Sequence, residues 1–124
     1  MAKRILVVDD EAEMIELIEM RLKNNGYEVI TAANGMEGLE RARKEMPDLI
    51  VLDVMMPKMN GYYVCRMLKF DEKYKKIPII LFSARSQEAD RLIGKEVAAD
   101  AYIPKPFEAA ELLLKIKELL GEQK

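Results

Sequence analysis

Residues 48–57 read Asp-Leu-Ile-Val-Leu-Asp-Val-Met-Met-Pro. Leu49, Ile50, Val51 and Leu52 stand in a row without the polar alternation of a strand that has one wet face. A strand of this kind is covered on both sides, as in the middle of a parallel sheet flanked by helices. The run stops at a carboxylate, Asp53, and the residues that follow do not begin a helix.

The pattern recurs outward in both directions. Residues 4–8 and 77–82 are also nearly continuous runs of Ile, Leu and Val, and are expected beside 49–52 at the centre of the sheet. Residues 27–32, Tyr-Glu-Val-Ile-Thr-Ala, alternate more and are expected at an edge. Residues 101–103 give a short fifth strand. Helical spacing fills the intervals. Met14, Ile15, Leu17, Ile18 and Leu22 mark a first helix stopped by Asn24-Asn25-Gly26. Asn34-Gly35 opens a second that ends before Pro47, residues 61–70 form a third, 86–96 a fourth, and 108–120 a fifth that ends at Gly121. Strand and helix alternate five times, the sign of an α/β fold with a parallel sheet and crossover helices. No repeat, low-complexity segment or internal linker interrupts the series, so one domain over 1–124 is expected.

Composition bounds the function. The chain has 124 residues, 50% of them hydrophobic and 34% charged, the balance of a globular protein with one core. Lys and Arg total 20 against 22 Asp and Glu, a net charge of −2 that offers no basic footprint for direct DNA binding. The single cysteine, Cys65, cannot form a disulfide within the chain and reads as a small apolar residue, in a reducing compartment unless it bridges to another molecule. Four apolar residues follow Met-Ala-Lys-Arg before two aspartates, too few for a signal peptide, and no run reaches the roughly 18 residues of a membrane span. A cytoplasmic protein is expected.

In open parallel sheets the loops at the carboxyl ends of the strands form the ligand site. Those ends carry Asp9 and Asp10 after the first strand, Asp53 after the third and Ser83 after the fourth, while the fifth leads to Lys105. Each has a plain alternative. Asp9 or Asp10 would serve as the N-cap of the first helix, and Ser83 as a capping hydroxyl. Lys105 is harder to place as a merely solvated lysine, because Pro104 and Pro106 stiffen the chain around it, and Lys105-Pro106 is a candidate cis bond.

Taken together, three carboxylates, a hydroxyl and an ammonium make sense as a phosphoryl-accepting site. Two like charges about 4 Å apart repel by roughly 4 kcal/mol at an effective dielectric near 20, so clustered carboxylates require cations to stay ionised. Lys105 is one. A divalent ion is the other, and Mg²⁺ suits an oxygen-only set that lacks His and Cys. Asp53 would then act as a carboxylate nucleophile toward phosphorus.

These residues resemble the receiver domain of two-component response regulators over essentially the whole chain. Val7-Val8-Asp9-Asp10-Glu11 resembles the family's acidic pair, and residues 48–53 with Met56-Pro57 and Asn60-Gly61 its phosphoacceptor strand and turn. Ser83-Ala84 resembles the switch hydroxyl with its small neighbour, Tyr102 the switch aromatic, and Lys105-Pro106-Phe107 the lysine motif. The resemblance implies a flavodoxin-like doubly wound sheet of order 2-1-3-4-5, a fold for which a chemotaxis regulator of this family is a standard example. It further implies that Asp53 is the acceptor and that Asp10, Asp53 and the Met55 carbonyl bind Mg²⁺, with Asp9 assisting through water. It implies phosphoryl donation by a sensor histidine kinase or a histidine phosphotransfer protein, and an output surface made of the fourth helix, fifth strand and fifth helix. With three residues after Gly121, a stand-alone regulator that is not a turnover enzyme is expected. Ala98 departs from the family, which often has glycine there.

Three rival functions are weighed on residues. An aspartyl-phosphate phosphohydrolase typically places a general-acid aspartate two residues after its nucleophile, where this chain has Met55. A nucleotide-binding domain would have a glycine-rich loop after the first strand, where this chain has Asp9-Asp10-Glu11. A receiver-like module that binds partners without phosphorylation would not need Asp9, Asp10, Asp53, Ser83 and Lys105 together.

Overall fold

The computed structural model describes residues 2–56, 59–83 and 98–122. Five strands form one parallel sheet: β1 Arg4–Val8, β2 Glu28–Ala32, β3 Leu49–Asp53, β4 Ile79–Ser83 and β5 Ala101–Pro104. Their order is β2-β1-β3-β4-β5, as the resemblance implied, with β2 at an edge and the three apolar runs at the centre. Four helices are described: α1 Ala12–Asn24, α2 Gly35–Glu45, α3 Gly61–Lys69 and α4 Ala109–Leu120. The helix expected over 86–96 lies outside the described residues, as do Pro57 and Ala84.

Alternation along the central strands builds two cores. Ile5 and Val7, Leu49 and Val51, Ile80 and Phe82 face one side, where Ile18 and Leu22 of α1 and Leu112 and Ile116 of α4 cover them. Leu6 and Val8, Ile50 and Leu52, Ile79 and Leu81 face the other, against Leu39 and Ala42 of α2 and Val64, Cys65 and Leu68 of α3. Each of these strands is buried on both faces, which is why its sequence shows no polar period. A buried Leu or Ile is worth about 1.5–3 kcal/mol, so each core holds its helix pair to the sheet with many such increments. Cys65 fulfils its expected role: its thiol is buried, and burial pushes its pKa up to about 12.

Some boundaries differ from the sequence reading for local reasons. Tyr27 precedes β2, because its N–H closes the turn after α1 on the Leu22 carbonyl at 3.1 Å. Ile77 precedes β4, since its N–H bonds to the Tyr74 carbonyl at 3.1 Å and Pro78 has no N–H for a ladder. β3 and β4 each extend one residue further than the apolar run, taking in Asp53 and Ser83. The helix starts follow chemistry visible in the sequence. Asn34 caps α2 through the Glu37 N–H at 2.8 Å, and Asn60 caps α3 through the Tyr63 N–H at 3.0 Å.

Candidate functional site

β1, β3, β4 and β5 run parallel, so their carboxyl ends arrive at one edge of the sheet. The registers Val8↔Leu52, Asp53↔Phe82 and Ser83↔Pro104 set Asp9, Asp53, Ser83 and Lys105 side by side. Asp53 and Ser83 are buried as the last residues of their strands, and Asp9 is buried just beyond β1. Asp10 is exposed at the rim. Carboxylate oxygens of Asp9, Asp10 and Asp53 lie within 4.8 Å of one another.

Neither Asp9 nor Asp10 caps the first helix. That position belongs to Glu11, which makes no side-chain cap, while Asp9 Oδ1 accepts the Glu11 N–H at 2.9 Å in the turn before it. The other oxygen, Asp9 Oδ2, is buried without a hydrogen-bond partner. An ionised carboxylate left in that state is costly, and a buried oxygen of this kind, on a residue whose carboxylate clusters with two others, has the donor character that a hard divalent cation requires. The residues present therefore fit Mg²⁺.

Lys105 is the cation already in place. Its side chain is 16% exposed, and its ammonium lies 3.4 Å from Asp53 Oδ1, 3.8 Å from Glu11 Oε1 and 3.9 Å from Asp9 Oδ2. The backbone is anchored beside β4, where the Lys105 N–H donates to the Ser83 carbonyl at 2.7 Å; the Lys105-Pro106 bond is cis. The ammonium also sits 4.8 Å from the centre of the Phe82 ring, which packs edge-to-face with Phe107 at 5.6 Å between ring centres and 75°. Met55 follows β3 with its side chain exposed, and its N–H donates to Asp53 Oδ1 at 3.3 Å. Tyr102 is half-buried on β5 and packs against the cluster under α2 and α3.

Burial is the largest influence on both inner carboxyls. It pushes Asp9 up to about 7, aided by the nearby Asp53 charge and opposed by the Glu11 N–H and by Lys105. Burial also raises Asp53, with Lys105 and the Met55 N–H pulling the other way. The geometry thus offers a nucleophilic carboxylate with a cation on one of its oxygens, in a pocket short of positive charge.

Glu11 and Gly61 stood within the motifs quoted from the sequence but were given no role of their own, and Phe82 was read only as part of a strand. Gly61 did appear in the Asn60-Gly61 turn, yet its packing against Asp53 had no signal there. The contact of Phe82 with Lys105 depends on β5 register and has no local signal either.

Residues 5–117 match the family model described as response regulator receiver domain. The chain belongs to the response regulator receiver family. This receiver is 44% identical over 120 residues to the alkaline phosphatase synthesis transcriptional regulatory protein PhoP of Bacillus subtilis, covering 97% of this chain and 49% of that protein. It is 50% identical over 118 residues to the probable transcriptional regulator ycf27 of Porphyra purpurea, covering 95% and 47%. The receiver thus spans about half the length of the curated relatives it matches. Among solved structures, a response regulator of Chloroflexus aurantiacus superposes with a TM-score of 0.92 at 34% identity, covering 98% of this chain and 100% of that one. The receiver domain of the sensor histidine kinase PA1611 of Pseudomonas aeruginosa, with a magnesium ion coordinated in its active site cleft, gives 0.89 at 29% identity over 98% and 100%. No described helix of this receiver is long and apolar enough to cross a membrane.

Proposed function

We propose that this receiver takes a phosphoryl group on Asp53 from a histidine-phosphorylated donor and converts it into a change of partner-binding surface. The observation that carries the reading is the ammonium of Lys105 at 3.4 Å from the buried Asp53 carboxylate, with Asp9 and Asp10 beside it. A structural ion pair would need one acid for one base. Here Asp9, Glu11 and Asp53 all lie within 4 Å of one half-buried lysine, as in a site where a metal and an anion are to be added.

Asp53 attacks phosphorus, an Asp53 O–P bond forms, and the bond from phosphorus to the donor nitrogen breaks with its electron pair leaving on the donor. Oδ1 is engaged by Lys105 and the Met55 N–H, which leaves Oδ2 for the attack. Lys105 holds charge developing on a phosphoryl oxygen, and Ser83 donates its hydroxyl to another. Asp10, Asp53 and the Met55 carbonyl would hold Mg²⁺, with Asp9 contributing through a water. The ion supplies charge neutralisation among carboxylates and phosphoryl oxygens. The receiver is consumed and regenerated with each phosphoryl group, so it is a switch rather than a turnover enzyme. Ser83 and Tyr102 relay the state to β5, α4 and the segment 86–96, where a downstream protein binds.

The setting proposed is the cytoplasm, on the partners a receiver requires. This receiver, with net charge −2, does not itself contact DNA. The relatives named as transcriptional regulators are about twice as long, and the length of the gene product separates a stand-alone regulator from the receiver of a longer one. Incubation with Mg²⁺ and acetyl phosphate followed by intact mass tests the reading. One stable added phosphate supports it, continuous release of phosphate points to a hydrolase, and no addition points to an inert module.

A further inference from the structure

On the face opposite α2 and α3, helices α1 and α4 do not close completely over the sheet. A cavity of about 370 Å³ lies between them, walled by Leu17 and Ile18 of α1 and by Leu112 and Leu113 of α4, with Phe107 at one end. Its lining is apolar apart from Arg21 and Lys105, and contains no carboxylate. Lys105 is committed to Asp53, Asp9 and Glu11, whereas Arg21 makes no ion pair among the described residues. A volume of this size falls in the range of small-molecule pockets, while a stable protein partner would need about 800 Å² of contact on each side. An apolar slot with an uncommitted guanidinium in its wall complements a molecule with a hydrocarbon body and one negative head.

We propose that this cavity binds an amphipathic carboxylate, with its aliphatic chain between Leu17 and Leu113 and its carboxylate on Arg21. The site is separate from the acidic pocket, but Lys105 belongs to the walls of both. The proposal concerns binding and holds whether or not Asp53 is phosphorylated.

Amide NMR titrations with octanoate, and with octan-1-ol as the uncharged molecule of the same chain length, test it. Saturable shifts at Leu17, Phe107 and Leu113 are expected with octanoate, with octan-1-ol binding about tenfold more weakly. Arg21→Ala, an exposed substitution that leaves both cores intact, should weaken octanoate about tenfold and leave octan-1-ol unchanged. Ala109→Phe, which fills the cavity from the first turn of α4, should remove both. Absence of saturable shifts would overturn the proposal. So would equal affinities for the acid and the alcohol that Arg21→Ala does not change. Concentration-dependent dimerisation in sedimentation, abolished by Leu17→Glu, would overturn it in favour of a second copy as occupant.

Discussion

Gly61 lies so close beneath Asp53 that a β-carbon on it would collide with the Asp53 carbonyl oxygen and stand 2.9 Å from the carbonyl carbon. The Gly61 N–H donates to the Val54 carbonyl at 3.0 Å, so α3 begins directly against the backbone that carries Asp53. Gly61→Ala must therefore move Asp53 or the start of α3. A stability loss on the order of 2 kcal/mol and a phosphorylation rate reduced at least tenfold are expected, since overpacking costs about 1–3 kcal/mol and catalysis tolerates little misplacement. Denaturant unfolding and initial rates with acetyl phosphate measure both. An unchanged rate would show that the acceptor is not held by this contact.

The protonation of Asp9 gives a pH dependence of unusual sign. Its folded pKa of about 7 lies above the ordinary carboxyl value near 4, so between those values the folded protein binds more protons than the unfolded chain. Stability contributed by this group is present at low pH and is lost as pH rises through about 7. Metal-free protein should be more stable at pH 5.5 than at 7.5 by about 2 kcal/mol. Asp9→Asn should flatten that slope, and saturating Mg²⁺ should reverse it. A metal-free protein that gains stability across the same window contradicts the buried, cation-poor description of Asp9.

The sheet was legible because its central strands are buried twice. Residues 4–8, 49–52 and 77–82 carry almost no polar residue, and a parallel sheet of order β2-β1-β3-β4-β5 buries those runs at its centre. The positions of Asp9, Asp10, Asp53, Ser83 and Lys105 were legible for a related reason: in a parallel sheet all carboxyl ends meet, so polar residues after apolar runs converge. What escaped the sequence depends on contacts between elements. Phe82 beneath Lys105, Gly61 against Asp53, and the gap between α1 and α4 are set by register and packing, which no local pattern records.

Ala98 adopts φ of 65°, in the left-handed region, just before the Ala99-Asp100 lead into β5. That conformation costs an L-residue roughly 1–2 kcal/mol, and glycine adopts it freely at the expense of greater unfolded-state entropy. Ala98→Gly should stabilise the protein by about 0.5–1 kcal/mol in chemical denaturation. Destabilisation would mean that the Ala98 methyl group contributes more than the backbone strain costs.

The proposed relay from Ser83 to Tyr102 requires both residues to respond to the acceptor. Adding Mg²⁺ and fluoroberyllate should shift the Tyr102 ring resonances as the ring becomes more buried, and Ser83→Ala should suppress the shift while leaving the anion bound. Two states a few kcal/mol apart suffice, because one charge-assisted hydrogen bond and partial burial of a ring can bias them. Unchanged Tyr102 resonances in saturated wild-type protein would remove the switch and leave phosphorylation standing.

The role of Lys105 separates chemistry from metal binding. Lys105→Met keeps an apolar stem over the Phe82 ring but removes the charge 3.4 Å from Asp53. Phosphorylation by acetyl phosphate should slow on the order of a hundredfold, while Mg²⁺ affinity is unchanged or rises as competing positive charge is lost. A wild-type rate in Lys105→Met would exclude Lys105 from the transfer.

The central claim is that one particular carboxylate carries the phosphoryl group. Borohydride reduces an aspartyl phosphate to homoserine, so protein treated with Mg²⁺ and acetyl phosphate, then reduced and digested, retains a permanent mark at the acceptor. Peptide mass analysis should find homoserine at position 53 alone, and Asp53→Asn should give none; a mark at Asp9 or Asp10, or undiminished labelling of Asp53→Asn, would contradict the account.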